Sequence, residues 1–455
     1  MRWARITGGV LFAAACGGIA AHAGFSGQIV STIAITALTA AFWMTEAIPI
    51  PAASLIPFVA FPLAGVLDEK QAAAALGSFV IILLMGSFML SKSLERSGAH
   101  ERLALYMIRI VGTSGRSLIF GFMLASATLS MWISNSATAL MLSTMALAIL
   151  SRDGGDKRLA APLLLGIAYA SSLGGAGTLI GTPPNLIFAD AFEKATGEEY
   201  SFARWMRTGV PIVIVGVPLM GLWLTRNMKR VRAPELPETG PWRKDEARTM
   251  MVFAGAMFLW ITRTEPFGGW SELFNVSGAG DASVAILAVI AMFLVPNGKG
   301  GALLDWKSAG DIPWGMLLLF AGGICIASAF RASGLDALIG EGLSGVANFP
   351  VFWMMLGICL AVTFLTEITS NTATANLLMP VLAAVAVGAG LAPELLMIPA
   401  VVSCSCAFML PVATAPNAII YATDRVTIAQ MAREGFILNL IVAVVVASVS
   451  YLVIG

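Results

Sequence analysis

Residues 134–142 read Ser-Asn-Ser-Ala-Thr-Ala-Leu-Met-Leu, and residues 370–378 read Ser-Asn-Thr-Ala-Thr-Ala-Asn-Leu-Leu. The two stretches are identical at 6 of 9 positions. A second pair, Gly-Thr-Pro-Pro-Asn-Leu-Ile-Phe at 181–188 and Ala-Thr-Ala-Pro-Asn-Ala-Ile-Ile at 413–420, agrees at 4 of 8 positions and has nearly the same separation along the chain. Two matches in the same order, at nearly one separation, indicate an internal duplication.

The composition of the chain is that of a membrane protein. Of its 455 residues, 58% are apolar and 12% are charged, about half the charged share of a soluble globular protein. The 27 Lys and Arg nearly balance the 26 Asp and Glu, so we expect no nucleic-acid partner, which would need excess positive charge. The five cysteines lie in apolar runs, and we interpret them as small buried side chains. A soluble enzyme, a disulfide-bonded secreted protein and a disordered scaffold are excluded.

Apolar stretches that could cross a bilayer, which takes about 20 helical residues, define the predicted topology. Nine are uninterrupted, at 6–24, 29–47, 50–67, 72–91, 208–225, 249–262, 282–296, 312–330 and 433–454. Two more, 160–190 and 394–423, contain Gly and Pro and are predicted to be broken helices. Stretches 117–150 and 351–389 are longer and have polar centres, which is typical of re-entrant hairpins. The predicted fold is an all-α polytopic membrane protein with eleven transmembrane helices and two re-entrant hairpins.

The distribution of Lys and Arg predicts the orientation of these spans. With the N-terminus in the cytoplasm, 21 of the 27 cationic residues fall on the cytoplasmic side, as the positive-inside rule requires. Hairpin 117–150 then opens inward and hairpin 351–389 outward, so the halves are predicted to be inverted repeats, 1–232 and 233–455. The stretch 226–248, with three prolines and mixed charge, is interpreted as the linker between them. We expect a multi-pass protein of the inner (plasma) membrane.

The hairpin tips carry hydroxyl and amide groups and no cationic side chain. These groups belong to Ser130, Ser134, Asn135, Ser136 and Thr138 in the first hairpin, and to Thr366, Thr369, Ser370, Asn371, Thr372 and Thr374 in the second. The broken helices add the motifs at 182–185 and 414–417, whose prolines free backbone carbonyls from helical hydrogen bonds. Uncharged oxygens suit a dehydrated alkali cation, whereas helix N-termini attract anions. The sequence therefore predicts an anion and cations bound side by side, with the cations neutralising a polyanionic substrate.

Some of these polar residues also have a purely structural interpretation. Small polar side chains often join helices in membranes, but a duplicated Ser-Asn-Ser/Thr beside a duplicated Thr-X-Pro-Asn favours a ligand site. Glu367 and Glu46 lie in or beside apolar segments, which usually marks function. For both we favour the alternative, a buried acceptor for a backbone or indole N–H, because a carboxylate would repel an anionic substrate.

With these motifs the chain resembles the divalent anion/sodium symporter family of di- and tricarboxylate carriers. The two Ser-Asn-Thr motifs of that family resemble residues 134–136 and 370–372, and its two loop motifs resemble residues 181–185 and 413–417. The resemblance implies a homodimer in the lipid bilayer, with a scaffold domain and a mobile transport domain that holds both hairpins. Transport would follow an elevator-type alternating-access mechanism.

The resemblance also implies which residues bind each ligand. It implies one sodium ion at Ser130, Ser134, Asn135 and Gly181, and a second at Thr366, Thr369, Asn371 and Ala413. It implies a substrate site made of Asn135, Ser136, Thr182, Pro183, Ser370, Asn371, Thr372, Thr414 and Ala415. No cofactor is expected besides sodium as the coupling ion. Ser136 and Ala415 stand where the family usually has Thr and Pro, which bears on the choice of substrate.

The leading hypothesis is sodium-coupled uptake of C4-dicarboxylates such as succinate, malate or fumarate. A sodium-independent dicarboxylate exchanger, or a sulfate or citrate carrier of the same fold, is the alternative. An ion channel would need a continuous pore, which two hairpins entering from opposite faces do not favour. The sequence has no His-rich cluster, activated nucleophile or phosphate-binding Gly-Lys motif, so we expect a transporter and not an enzyme.

Overall fold

The computed structural model describes residues 2–112, 115–152, 157–228, 240–265, 268–276, 278–342, 345 and 349–455. Over these ranges the chain is helical, and its only β-structure is an isolated bridge between Pro296 and Ala302. The predicted all-α fold class is confirmed. The predicted repeat boundary at 232–233 and part of the predicted linker lie outside the described residues.

Seven helices precede the first hairpin. They are α1 Arg2–His22, α2 Gly27–Thr45, α3 Ile50–Ala53, α4 Ile56–Leu63, α5 Glu69–Ala74, α6 Phe79–Ser97 and α7 Ala99–Val111. The span predicted over 50–67 contains a break, because α3 and α4 divide it. Pro57 lies in the first turn of α4 and has no N–H to donate to the Ala53 carbonyl, so the helical hydrogen bonding is interrupted at this point.

The first hairpin and the first broken helix follow. Helices α8 Gly115–Ser130 and α9 Asn135–Arg152 are joined by a short tip at 131–134, where the sequence predicts a hairpin over 117–150. The broken helix predicted over 160–190 consists of α10 Lys157–Gly174, a 3₁₀ turn at Gly175–Gly177 and α11 Pro183–Thr196. Helix α12, Phe202–Leu224, ends the first half.

The second part of the chain, from its hairpin onward, has the same order of elements as the first. It contains α13 Lys244–Ile261, α14 Gly269–Leu273, α15 Asp281–Leu294, α16 Trp306–Gly310, α17 Trp314–Ser333, α18 Leu335–Gly342, α19 Val351–Thr366, α20 Asn371–Gly388, α21 Glu394–Cys404, α22 Ala415–Tyr421 and α23 Ile428–Ile454. Helices α19 and α20 form the second hairpin, and α21 and α22 form the second broken helix. The long helices α6 and α17 both end on a left-handed glycine, Gly98 with φ 75° and Gly334 with φ 76°. The same left-handed helix end at aligned positions of the two halves supports the duplication.

The surface of the fold is apolar, as expected of a protein that spans a membrane. Within the described ranges, eight helical segments are long and apolar enough to cross one, and Leu63 and Leu11 expose 84% and 69% of their surface. Helix length alone does not decide which segments cross, so the count of eleven spans and two re-entrant hairpins stays a prediction. Four of the five cysteines are buried, as predicted, and Cys16 is partly exposed.

A buried carboxylate ties the second hairpin to the second broken helix. Glu367, 4% exposed, accepts hydrogen bonds from the backbone N–H groups of residues 408–410 at 2.8, 2.9 and 3.1 Å. The side-chain amide of Asn439 on α23 donates a fourth, at 2.7 Å. Glu367 is therefore a structural acceptor for backbone N–H groups, which is the interpretation that the sequence favours.

We expect Glu367→Gln to lower the thermal stability of the purified protein. An amide has one acceptor oxygen where the carboxylate has two, so at least one buried N–H loses its partner, at a cost of about 1–3 kcal/mol. The midpoint of thermal unfolding in detergent measures this loss. Glu46→Gln is the matched control: Glu46 is exposed at the end of α2, so the buried acceptor role favoured from the sequence is wrong for this residue. Equal midpoints for Glu367→Gln and the wild type would contradict the structural role.

Candidate functional site

A cavity of about 660 Å³ lies at the tips of the two hairpins. Twelve of the predicted site residues line it: Ser134, Asn135, Ser136, Gly181, Thr182, Pro183, Ser370, Asn371, Thr372, Ala413, Thr414 and Ala415. They come from four separate stretches of the chain, two hairpin tips and two helix breaks, which the fold brings together. Their roles as ligands stay predictions, but their convergence on one cavity is a property of the structure.

Four helices begin at the wall of this cavity. Their first residues are Asn135 in α9, Pro183 in α11, Asn371 in α20 and Ala415 in the short helix α22. The first N–H groups of a helix have no partner within it, and the helix dipole adds partial positive charge at the same end. The cavity therefore offers positive potential without a cationic side chain at the tips, and hydrogen-bond donors at the helix starts other than that of α11, which begins with two prolines. This arrangement suits an anion.

Behind the first tip, the hydroxyl group of Ser130 lies within hydrogen-bonding distance of two acceptor oxygens. The hydroxyl of Ser130 lies 2.5 Å from the Asn135 side-chain oxygen and 2.7 Å from the Ser171 carbonyl oxygen. A hydroxyl can donate to one of two such acceptors at a time. Ser130 is fully buried, so the remaining oxygen lone pairs face one another without a proton between them. Such a cluster of uncharged oxygens suits a hard cation.

The second tip repeats this cluster, with the hydroxyl and the amide at aligned positions. The buried hydroxyl of Thr366 lies 2.7 Å from the Asn371 side-chain oxygen and 3.0 Å from the Cys404 carbonyl oxygen. Thr369, which the resemblance assigns to the same ion, has its hydroxyl 2.7 Å from that of Thr374 within the hairpin. Ser130, Thr366 and Thr369 are the three predicted site residues that do not line the cavity.

A glycine lets the backbone approach the first oxygen cluster. A Cβ atom on Gly175 would lie 2.9 Å from the Asn135 side-chain oxygen and 3.0 Å from the Gly181 carbonyl oxygen. Two of the oxygens that the resemblance assigns to the first sodium ion, those of Asn135 and Gly181, therefore face the same glycine. Sequence analysis missed Gly175, although the run at 174–177, with three glycines just before the loop motif, was a signal for close backbone approach.

The asparagine of each loop motif holds the helix break itself. The Asn185 side chain donates to the carbonyls of Gly175 at 3.0 Å and Thr178 at 2.7 Å. Asn417 donates to the two equivalent carbonyls of the second break, both at 3.0 Å. Neither asparagine lines the cavity. The two polar residues of the duplicated Thr-X-Pro-Asn motif thus have different roles. The threonine faces the cavity, and the asparagine donates hydrogen bonds to carbonyls that the break leaves without helical partners.

The opposite wall of the cavity was missed by sequence analysis. It consists of Ser87, Phe88, Ser91, Lys92 and Glu95 of α6, with Asp311, Ile312, Pro313 and Met316 at the start of α17. These residues form no duplicated motif and lie in stretches that read as ordinary spans and their ends. Only the packing of α6 and α17 against the hairpin elements reveals that they face the site.

We expect Gly175→Ala to weaken sodium binding. The added methyl group would displace the Asn135 or Gly181 oxygen, and overpacking of this kind costs about 1–3 kcal/mol, so the half-saturating sodium concentration should rise about tenfold. This concentration is measured from the thermal stabilisation of the purified protein by increasing sodium chloride, with choline chloride as the control salt. Gly255→Ala is the control, because a Cβ atom there meets nothing within 4 Å. Unchanged sodium dependence in Gly175→Ala would separate this glycine from the ion site.

Comparisons with known proteins agree with this arrangement. The sequence profile of the citrate transporter family matches residues 40–397. A sodium-dependent dicarboxylate transporter of Staphylococcus saprophyticus is 39% identical over 446 residues, covering 93% of this chain and 85% of the relative. Its counterpart in Staphylococcus aureus is 37% identical over 448 residues, covering 93% and 86%.

The fold is also similar to that of a solved transporter. The YdaH transporter of Alcanivorax borkumensis superimposes with a TM-score of 0.57 at 12% identity, over 84% of this chain and 87% of that one. At this identity the likeness concerns the fold alone. Together, the profile match and the two relatives show that the chain belongs to the divalent anion/sodium symporter family, within the citrate-transporter class of membrane proteins.

Proposed function

We propose that this protein is a sodium-coupled carrier that imports C4-dicarboxylates such as succinate, malate or fumarate, and that it is not an enzyme. The observation that carries the proposal is the pair of oxygen clusters around Ser130 and Thr366, which flank a cavity where four helices begin. The names of the two staphylococcal relatives support the same substrate class and the same coupling ion. The proposed location is the inner membrane, with the N-terminus in the cytoplasm.

Coupling follows from the charges that the site lacks. Neither tip contains Lys or Arg, so at the tips a dianion meets only the partial charges of helix ends, each worth about half an elementary charge. Two sodium ions behind the tips would supply the missing positive charge. The dianion in turn would lower the cost of placing two cations close together, so each ligand favours the binding of the other.

The two tips also suit the two ends of the substrate. Each provides an asparagine and a neighbouring hydroxyl, Asn135 with Ser136 and Asn371 with Thr372, on the same cavity. In our proposal each carboxylate of the substrate meets one tip and the start of one broken helix. A molecule with two carboxylates fits this duplication, whereas sulfate has a single anionic centre. Citrate, which the family profile names, has a third carboxylate.

For movement we propose an elevator mechanism in a homodimer. The site elements form one unit across the two halves, because α9 packs against α22 and α11 packs against α20. Thr182 and Ser405 approach each other within this unit at 3.4 Å. The unit would carry substrate and sodium past the wall formed by α6 and α17.

Uptake of radiolabelled succinate into proteoliposomes tests the proposal. We expect uptake with an inward sodium gradient and none with choline, and we expect Asn135→Ala and Asn371→Ala each to abolish it, because each removes an amide that serves a cation and a carboxylate. Both variants should keep the elution volume of the wild type in size-exclusion chromatography. Sodium-independent exchange would establish the alternative function, and uptake of citrate or sulfate but not succinate would establish a different cargo.

Thr366→Val separates the ion from the substrate. It keeps the shape but removes a hydroxyl that does not reach the cavity wall, so it should weaken sodium binding directly and succinate binding only through linkage. The coupling free energy between linked binding sites is usually about 1–3 kcal/mol. Saturating sodium should therefore largely restore the succinate affinity measured by calorimetry. Thr144→Val, on an exposed face of α9, is the control. Succinate affinity that stays low at saturating sodium would place Thr366 in the substrate site instead.

A further inference from the structure

The wall that faces the hairpin tips carries a single cation. Among the residues that line the cavity, all within the described part of the chain, Lys92 is the only cationic side chain. Its ammonium group lies 3.2 Å from the Glu95 carboxylate on the same helix and 3.5 Å from the Asp311 carboxylate. Both carboxylates belong to residues that also line the cavity.

The contact with Asp311 is weak enough for a substrate carboxylate to compete. The Asp311 side chain is 84% exposed, and ion pairs with exposed partners contribute little stability because water and salt screen them. The Lys92 side chain is 29% exposed, so its charge is less screened than that of Asp311. Lys92 is thus a partly shielded cation with an exchangeable partner.

The charge of this wall depends on Lys92. With Lys92 protonated and both carboxylates ionised, the formal charge of the wall is −1, and without Lys92 it would be −2. In the proposed elevator movement, a dianion that leaves the helix starts and the sodium ions passes this wall. Lysine reduces the repulsion and offers a counter-charge at the point where the tips no longer provide one.

Lys92 also stands on an element that carries neither hairpin. It lies near the end of α6, which the distribution of Lys and Arg places at the cytoplasmic face, and α6 packs against α15. In the proposed elevator movement the tips slide away from this wall when the site faces outward. The substrate would then meet Lys92 only when the site is open to the cytoplasm.

We propose that Lys92 is a specificity-determining residue that acts on the cytoplasmic side alone. It sets the affinity with which dianionic dicarboxylates enter and leave the inward-open site, and it does not hold them in the outward-open one. This inference rests on the proposed function and adds to it a difference in substrate affinity between the two faces of the membrane.

The test compares succinate transport measured from each face. Right-side-out and inside-out membrane vesicles from the same expressing cells give the half-saturating succinate concentration at the outer and the cytoplasmic face. In Lys92→Gln the cytoplasmic value should rise about three- to tenfold relative to the outer one, the effect of one partly exposed charge. Lys92→Arg, which keeps the charge, should preserve the wild-type ratio.

Two further variants separate this role from a structural one. Arg96→Gln removes a cation from the same helix that pairs with Asp305 at 2.6 Å and does not line the cavity, so the ratio should not change. Asp311→Asn removes a negative charge from the wall, so the cytoplasmic value should fall. If Lys92 acted only by holding Asp311 in place, Asp311→Asn would raise that value, as Lys92→Gln does.

The proposal is overturned by a wild-type ratio in Lys92→Gln, or by shifts in the same direction for Lys92→Gln and Asp311→Asn. Failure of the proposed function would instead show in the wild-type vesicles, as an absence of sodium-dependent succinate uptake. Size-exclusion elution of each variant at the wild-type volume ensures that a shift reports substrate affinity and not misfolding.

Discussion

Two hydroxyl groups, each with more oxygen acceptors around it than it can satisfy, determine how the rest of this molecule is organised. Ser130 and Thr366 each offer one hydrogen to two oxygens in a place that excludes water. Such clusters are costly in a membrane protein unless a cation completes them. In the proposed sodium sites, a hairpin brings the hydroxyl and the amide, and a broken helix brings the carbonyl.

Backbone groups that lack helical hydrogen bonds inside the fold need other hydrogen-bond partners. Asn185 and Asn417 satisfy the carbonyls at the two breaks, and Gly175 lets the chain pass close to the first cluster. In the second half Glu367 satisfies three consecutive N–H groups of the loop. The aligned position of the first half is Met131, so the two halves solve the same problem with different chemistry.

The sequence predicted the parts of this arrangement that are duplicated. A motif that recurs with its neighbours in order stands out against the apolar background, so the convergence of both tips and both loops on one cavity followed from four short stretches. The break between α3 and α4 was not predicted, because a proline in an early turn is also compatible with a continuous helix start. The α6 wall was not predictable either: Lys92 and Asp311 are distant in sequence, and only the packing of helices shows that they share a cavity.

Ala415, where the family usually has proline, makes the starts of the two broken helices different. It is the first residue of α22 and keeps a backbone N–H, whereas Pro183, the equivalent first residue of α11, has none. The start of the second broken helix therefore offers one more donor than the start of the first, although the surrounding geometry is nearly the same. If the carboxylates of the substrate meet these two helix starts as proposed, malate, whose hydroxylated and plain ends differ, would be bound with a different energy when it is turned end for end.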